Sequence, residues 1–244
     1  MPDLSPQGAS VVVPAFREAE RVAATVLAAA AIPGVDLVVV VDDGSPDDTA
    51  AMARAAGAVV VRRAANQGKA AAMELGAAEV ASRERAAGLA GRPLLFLDAD
   101  LQETASAGEA LLEPVRGGSA DLAIGVLPPQ ETSGGGHGFV VRLAADGITA
   151  ATGWTPTQPL SGQRCLTREA YDAALPLARG WGVEVGMTID LLRAGFGVLE
   201  VPAAFHHRVS GRGPRAQVHR GRQYLGVWRA LRSRGVGPAV PLPR

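Results

Sequence analysis

The first half of the chain alternates short apolar runs with segments whose apolar residues recur at helical spacing. Short β-branched or aliphatic runs are typical of buried strands, and spacings of three or four residues are typical of helices. The pattern predicts strands over 9–14, 36–41, 59–61, 93–97 and 121–125, and helices over 18–31, 46–56, 68–85 and 105–115. Strands and helices that alternate at this interval predict an α/β fold with a mostly parallel sheet flanked by helices.

The pattern changes after Leu127. Residues 128–138 contain two prolines, a run of three glycines and His137, so we expect either a mobile loop over a site or a plain surface connector. The rest of the chain predicts helices over 139–152, 168–175, 183–193 and 216–231, a turn-rich stretch over 157–164 and a strand over 198–201. Because no internal repeat or linker interrupts the sequence, we expect one domain over 1–244.

The composition indicates a chain that can bury a core. Hydrophobic residues make up 48% of the sequence and charged residues 20%, which is unlike a disordered protein. The single cysteine, Cys165, excludes an internal disulfide framework and a cysteine-rich zinc site. No apolar run approaches the length of a membrane span, and the N-terminus lacks the order of a signal peptide. We therefore expect a cytoplasmic protein.

The net charge of zero conceals an uneven distribution. Residues 205–244 contain nine arginines and no acidic residue, so the last 40 residues carry about +9 and the rest of the chain about −9. Such a basic tail predicts contact with something anionic: a phosphate, a lipid surface, nucleic acid or the acidic body itself. Aromatic residues are only 4% of the chain and do not interleave with the arginines, so no nucleic-acid partner is expected.

Two carboxylates follow the predicted strand 93–97. Asp98 and Asp100 are separated by one alanine, and ligands of parallel sheets bind beyond the carboxyl ends of the strands. Two carboxylates this close repel each other unless a proton or cation lies between them. Mg²⁺ or Mn²⁺ prefers such oxygen ligands and can also bridge to a diphosphate. The alternative is a solvated turn whose acids cap a helix.

A second acidic pair ends the predicted strand 36–41. Asp42 and Asp43 are followed by a turn in which Asp47 or Asp48 is expected to cap the next helix. Asp42 or Asp43 is then left to accept hydrogen bonds from a base or a ribose.

Two further segments supply polar groups at the same predicted edge. The segment 14–18 offers a pocket floor and a charged pair. Lys69, the only lysine of the chain, begins a predicted helix, where the helix dipole opposes a positive charge. Contact with an anion explains this position better than helix stability does.

Together these segments match a known family. In order and spacing they resemble the family 2 glycosyltransferases of GT-A fold, over roughly the first 125 residues, on Pro14-Ala15-Phe16-Arg17-Glu18, Asp42-Asp43-Gly44-Ser45-Pro46-Asp47-Asp48-Thr49, Asn66-Gln67-Gly68-Lys69 and Asp98-Ala99-Asp100. The resemblance implies that residues 1–125 bind a nucleotide sugar and that residues 126–244 hold the acceptor-binding half and the basic tail. It departs at Ala70, where the family usually continues with glycine.

The resemblance also implies roles for individual residues. Asp100 would bind the metal, Mg²⁺ or Mn²⁺, and Asp98 would lie toward both the ribose and the metal. Asp42 would lie near the base or ribose. The complete donor-binding set implied is Pro14, Ala15, Phe16, Glu18, Asp42, Asp43, Lys69 and Asp98.

The second half resembles two groups within the family. The segments 98–102 and 161–164 look like those of polyprenyl-phosphate (dolichol-phosphate type) mannosyl- and glucosyltransferases, in which the counterpart of Gln102 joins the metal shell and that of Arg164 faces the acceptor phosphate. The segments 158–162, 182–186 and 207–208 also resemble glucosyl-3-phosphoglycerate synthases. In those enzymes the histidine that matches His207 is a metal ligand.

The third metal ligand is expected from the segment after strand 198–201. A neutral imidazole there could bind the cation and bring the tail over the diphosphate. We favour His207 over His206 because Arg208 completes the family-like pair, and Gln102 is the alternative ligand.

Several side chains are expected to serve the acceptor. Glu184 lies between valines near a helix start and could act as a base, orient the sugar or cap the helix. Arg164 follows a Ser-Gly turn and could form a bidentate pair with a phosphate. Arg208 and Arg212 lie on a glycine-containing stretch typical of a loop that orders on an anion. We therefore assign catalysis to Asp100, Glu184 and Arg164, and acceptor binding to Arg164, Glu184, Arg208 and Arg212.

The function expected is transfer of a hexose, glucose or mannose, from a UDP-glucose or GDP-mannose type donor to a phosphate-bearing acceptor. The acceptor is a polyprenyl phosphate or resembles 3-phosphoglycerate, and a lipid acceptor would require peripheral docking at the inner face of the membrane through the arginine tail. One alternative is a sugar nucleotidyltransferase, which should carry a glycine-rich phosphate loop where residues 14–18 stand. The other is a non-catalytic nucleotide-sugar-binding protein. A homodimer is left open.

Overall fold

The structure is a computed structural model that describes residues 4–89, 91–128, 138–206 and 214–237, with the backbone alone over 214–220. Its strands are β1 (Ala9–Ala15), β2 (Val35–Asp42), β3 (Val59–Arg62), β4 (Leu94–Phe96), β5 (Leu122–Val126), β6 (Arg164–Leu166) and β7 (Val198–Pro202). Its α-helices are α1 (Val22–Ala30), α2 (Thr49–Ala55), α3 (Lys69–Ala86), α4 (Glu109–Arg116), α5 (Phe139–Thr152), α6 (Arg168–Ala173), α7 (Val183–Arg193) and α8 (Pro214–Arg232). Two 3-10 turns span Gln102–Gly108 and Gly180–Gly182.

The seven strands form one sheet in the order β3-β2-β1-β4-β6-β5-β7. All neighbouring pairs are parallel except the two that involve β6, which runs antiparallel to both β4 and β5. The predicted α/β fold with a mostly parallel sheet is therefore confirmed. Since β1 lies between β2 and β4, the carboxyl ends of these three strands are adjacent, and the polar segments that follow them meet at one edge of the sheet.

Each face of the sheet is covered by its own apolar cluster. Alternate residues of β1 point to opposite faces, so Val11 and Val13 pack with α1 and α4 while Val12 packs with α3 and α7. A third cluster joins α5, α7 and α8. Within the described ranges, no helix combines the length and the apolar character needed to cross a membrane.

The predicted elements match most of the observed ones. The helices 139–152 and 183–193 have the bounds that the sequence predicts. The predicted helix 105–115 is instead a 3-10 turn followed by α4, and the helix predicted from residue 18 begins at Val22. β6, a three-residue strand at the end of the turn-rich stretch, was not predicted.

Candidate active site

The turn after β1 is fastened to the turn after β2. The N–H of Arg17 donates to Ser45 Oγ at 2.9 Å, and the N–H of Glu18 donates to Thr49 Oγ1, also at 2.9 Å. Arg17 adopts a φ of 61°, a left-handed conformation that strains a non-glycine residue by about 1 kcal/mol. These contacts hold the chain in an irregular turn, which is why α1 begins at Val22 and not at Glu18.

The four donor-binding candidates of this segment lie at the end of β1 and in the turn that follows it. Pro14 and Ala15 are the last residues of β1, and the Phe16 ring is 38% exposed at the edge of the sheet. The Glu18 carboxylate accepts a 2.8 Å hydrogen bond from Arg21 Nη1. This bond and the charge of Glu18 raise the pKa of Arg21. Glu18 of the predicted charged pair thus pairs with Arg21, which lies outside the segment 14–18.

Asp43, which is buried, holds the turn that precedes α3. Its Oδ2 accepts hydrogen bonds from the N–H groups of Gln67, at 3.0 Å, and Gly68, at 2.7 Å. Gly68 has a φ of 91°, so glycine suits this position. The carboxylate therefore fixes the backbone at the start of α3, and so the position from which Lys69 projects.

Asp42 is also buried, but its two oxygens are used differently. Oδ1 accepts a 2.9 Å hydrogen bond from the N–H of Ser45, and Oδ2 lies 3.2 Å from Arg62 Nε. Oδ2 makes no hydrogen bond of good geometry within the described part of the chain. Of the two aspartates, Asp42 therefore has an acceptor oxygen available. That it binds a base or ribose stays a prediction.

The turn after β4 is clamped by a side chain of α1. Thr25, which is fully buried, donates from Oγ1 to the carbonyl oxygen of Ala99 at 2.9 Å and accepts from the N–H of Gln102 at 2.8 Å. Gln102 has a φ of 52°, again in the left-handed region. One hydroxyl thus pins both ends of the segment that carries Asp100 and fixes where that carboxylate leaves the backbone.

Lys69 joins the ends of three elements. Its Nζ lies 2.6 Å from Asp98 Oδ1, just after β4, and 3.1 Å from Glu184 Oε1, in the first turn of α7. Burial by itself would lower the pKa of Lys69, but the charges of Asp98 and Glu184 outweigh it and raise that pKa above its ordinary value. The lysine therefore stays protonated, and the anion contact that its helix position indicated is supplied by two carboxylates of the chain.

The Lys69–Asp98–Glu184 cluster is closed by the segment before β6. A Cβ at Gly162 would overlap Lys69 Nζ and lie 2.8 Å from Asp98 Oδ2, so a larger residue there would displace the Lys69–Asp98 pair. The next residue, Gln163, donates from Nε2 to Asp98 Oδ2 at 3.2 Å. Both oxygens of Asp98 are consequently engaged, one by Lys69 and one by Gln163.

Arg164 lies inside the fold rather than along the cleft. It is 1% exposed, and it donates from Nε to the carbonyl oxygen of Ser161 and from Nη1 to Thr188 Oγ1, each at 2.9 Å. Burial lowers the pKa of the Arg164 guanidinium to about 10, against the opposing charges of Glu184 and Glu200. The guanidinium therefore ties β6 to α7. Its contact with an acceptor phosphate stays a prediction.

The remaining predicted ligands come from the segment after β7. His206 donates its backbone N–H to Thr104 Oγ1 at 3.2 Å. His207, Arg208 and Arg212 lie outside the described residues. Within the described ranges, no three His, Cys, Asp or Glu side chains converge as a metal site would require.

Comparison with known proteins identifies the family. The model of glycosyl transferase family 2 matches residues 10–142, more than half of the chain. The chain belongs to glycosyl transferase family 2. The predicted family, and with it a glycosyltransferase enzyme, is confirmed. A comparison with curated proteins returned no match.

Solved structures similar to this family 2 glycosyltransferase include those of glucosyl-3-phosphoglycerate synthase from Mycobacterium tuberculosis. The complex with phosphoglyceric acid has a TM-score of 0.72 at 27% identity. The complex with Mg²⁺ and UDP has a TM-score of 0.70, also at 27% identity. Each of the two comparisons covers 95% of this chain and 81% of the synthase chain. The complex with Mn²⁺, UDP-glucose and phosphoglyceric acid has a TM-score of 0.70 at 29% identity with the same coverage. The similarity therefore extends well beyond the family model, across both halves of the glycosyltransferase.

Some site-forming residues of the glycosyltransferase were missed by sequence reasoning. Thr25 gives only a faint signal, a buried hydroxyl on the apolar face of a helix. Gln158 pairs with both backbone groups of Leu127, through Oε1 at 3.0 Å and Nε2 at 2.7 Å. Glu200 in turn accepts from the N–H groups of Thr157 and Gln158, each at 2.8 Å. Gln158 and Glu200 together hold the chain at the end of β5, beside the site. No local sequence pattern predicts such long-range contacts.

Proposed function

We propose that this glycosyltransferase moves a hexosyl group from a nucleoside-diphosphate sugar to a phosphate-bearing acceptor, with a divalent cation. The observation that carries the proposal is the Lys69–Asp98–Glu184 cluster at the carboxyl edge of the sheet. It joins the donor half, through α3 and the end of β4, to the acceptor half, through α7. A donor seated on the turns after β1, β2 and β4 would therefore present its sugar at this junction.

The side chains after β4 fit a divalent cation by their chemistry. The Asp100 carboxylate and the Gln102 amide offer hard oxygen ligands from one short turn. We assign the cation first to Asp100, because the two hydrogen bonds of Thr25 fix the turn that carries it. Mg²⁺ is commonly held by one or two carboxylates together with substrate phosphates, so the donor diphosphate would complete the set. When bound, the cation would neutralise charge on the departing diphosphate.

UDP-glucose is the donor that we propose, in preference to a GDP-mannose type donor. The similar synthase structures hold UDP or UDP-glucose with Mg²⁺ or Mn²⁺, and the similarity covers 95% of this chain. Asp42 Oδ2, a buried acceptor oxygen with no hydrogen bond among the described residues, is the atom that we assign to the base or ribose. The same complexes contain phosphoglyceric acid, which supports a small 3-phosphoglycerate-like acceptor over a polyprenyl phosphate.

The side chains that we propose for the acceptor are chosen by whether they already have partners in the fold. Arg164 is committed to Ser161 and Thr188, so the acceptor phosphate is assigned to Arg208 and Arg212. Glu184 Oε1 lies 3.1 Å from Lys69 Nζ. A phosphate nucleophile is already ionised and needs no base, but an acceptor hydroxyl would use one, and Glu184 is the carboxylate at the junction.

A ligand panel tests the proposal. We expect UDP-glucose to raise the melting temperature of the protein in the presence of Mn²⁺ and to have little effect in its absence, and we expect GDP-mannose to raise it less. Glucosyl transfer is then assayed with 3-phosphoglycerate and with a polyprenyl phosphate in parallel. Release of pyrophosphate from a nucleoside triphosphate would instead indicate a nucleotidyltransferase, and binding without transfer to either acceptor would overturn the acceptor class.

Thr25 provides a separate prediction about the metal. Thr25→Val keeps the shape of the side chain but removes the hydroxyl that holds Ala99 and Gln102, so we expect Mn²⁺ with UDP to bind about tenfold more weakly. Electron paramagnetic resonance of free Mn²⁺ measures this directly. Thr25→Ser, which keeps the hydroxyl, is expected to restore affinity. Equal Mn²⁺ affinity in Thr25→Val and the wild type would contradict the role assigned to Thr25.

We further propose that the basic C-terminal segment brings the enzyme to the inner face of the membrane as a peripheral protein. The support is the composition of residues 205–244, which include nine arginines and no acidic residue. A homodimer stays a prediction that no described contact tests.

A further inference from the structure

A groove of about 880 Å³ runs between α8 and the loop that joins α6 to α7. Its rim combines three exposed apolar side chains with three arginines: Leu175, Trp181, Leu225, Arg179, Arg222 and Arg229, which we call the α8 groove face. The face lies outside the site at the carboxyl edge of the sheet, and nothing in the proposed transfer reaction uses it.

The arginines of the α8 groove face have no acidic partners among the described residues. A fourth arginine of the groove, Arg234, pairs with Asp190, the one acidic residue among the described residues that line the groove. Arg222, Leu225 and Arg229 recur at spacings of three and four residues, which puts them on one side of α8. The face therefore presents positive charge and apolar surface side by side.

The groove is built on a tight contact between α8 and the Gly180–Gly182 turn. A Cβ on Gly226 of α8 would lie 3.0 Å from the backbone nitrogen of Trp181, and one on Gly182 would lie 2.7 Å from the carbonyl oxygen of Gly226. The close packing fixes Trp181 against the helix. Because the same turn leads into α7, Glu184 follows only two residues after Gly182.

We propose that the α8 groove face docks on the surface of an anionic lipid bilayer. Arginine stems and tryptophan rings suit the boundary between headgroups and acyl chains, and guanidinium groups bind lipid phosphates. The arginine-rich composition of 205–244 strengthens the attraction to an anionic surface. A second copy of this chain fits poorly, because an interface formed by this face on both copies would bring six arginines together, while the acid of the lining, Asp190, is already paired with Arg234.

The inference rests on the peripheral membrane contact proposed above and deepens it by naming the surface. It is independent of the donor and the acceptor, so a failure to transfer glucose would leave it standing. Docking through this face would hold the Gly180–Gly182 turn, and with it the start of α7, close to the membrane.

Vesicle co-sedimentation with the full chain tests the inference. We expect the wild type to bind vesicles of phosphatidylglycerol and phosphatidylcholine, to release them as salt is raised, and not to bind phosphatidylcholine alone. The double variant Arg222→Gln/Arg229→Gln should bind the anionic vesicles at least tenfold more weakly, since each basic residue near the surface contributes several-fold. Leu225→Ser should also weaken binding, with less change in the salt dependence.

The matched control is Arg54→Gln/Arg85→Gln, which removes the same charge from exposed positions on α2 and α3. It should bind vesicles like the wild type, and the melting temperatures of all variants show whether each is folded. Equal loss in this control, equal binding to neutral vesicles or no vesicle binding at all would overturn the inference. So would a wild-type dimer in sedimentation velocity that Arg222→Gln/Arg229→Gln converts to a monomer.

Discussion

Replacing Asp100 by asparagine is expected to lower the rate of glucosyl transfer about a thousandfold while the protein remains folded. The substitution removes one negative charge and keeps the shape of the side chain. The turn that carries it is held by backbone contacts to Thr25, which Asp100→Asn leaves intact. The loss therefore reports the electrostatic stabilisation of the departing diphosphate, measured as the initial rate with UDP-glucose and saturating Mn²⁺.

A neighbouring acid supplies the control for Asp100. Glu103 is exposed in the 3-10 turn that follows, so Glu103→Gln makes the same change of charge close to the site without altering a proposed metal ligand. We expect it to keep the wild-type rate and Mn²⁺ affinity. Full turnover in Asp100→Asn would contradict the proposed function. Equal losses of rate in Asp100→Asn and Glu103→Gln would show that the total negative charge near the site matters and not metal binding by Asp100.

The residues at the sheet edge could be predicted because they follow strands that are apolar throughout. β2 is a nearly unbroken run of aliphatic residues, a pattern that only burial on both faces explains, and the acids that end it must lie at the edge. The same logic located Asp98 after β4. The ends of helices α5 and α7 were predicted correctly because a glycine follows each helix closely: Gly153 directly after α5, and Gly195 two residues after Arg193.

Long-range contacts could not be predicted in this way. β6 is three residues long, and its antiparallel pairing depends on the gap between β4 and β5 rather than on its own sequence. Arg164, in that strand, follows a Ser-Gly turn like a phosphate ligand, yet its guanidinium is buried against Thr188, 24 residues further along the chain. Sequence spacing indicates which chemistry a side chain can perform. Which partner it meets depends on packing.

Replacing Lys69 is expected to have a large effect on both the stability and the transfer rate of the protein. Lys69→Met is expected to lower the free energy of unfolding by about 3 kcal/mol. The substitution removes the Lys69 ammonium group and leaves the carboxylates of Asp98 and Glu184 without a positive charge between them. It should also reduce glucosyl transfer at least a hundredfold, since the cluster sets the position of Glu184 and of the turn after β4. Urea denaturation and initial rates measure the two effects separately.

The control for Lys69 lies on the same helix. Arg83 pairs with Glu79 one turn away near the surface of α3, so Arg83→Met should change the free energy of unfolding by less than about 0.5 kcal/mol. A Lys69→Met protein as stable as the wild type would mean that the three charged groups contribute nothing to folding.

The difference in free energy of unfolding between the wild type and Lys69→Met should depend on pH with a definite sign. The pKa of Lys69 is raised in the folded protein above its ordinary 10.5, so its contribution to stability is fully present below that value and is lost as the pH rises through the folded pKa. The stability gap between wild type and Lys69→Met should therefore stay constant from roughly pH 7 to 9 and narrow only in stronger alkali. A gap that closed on going from pH 7 to 9 would mean that Lys69 loses its proton there, and the two carboxylates could not then be what holds it charged.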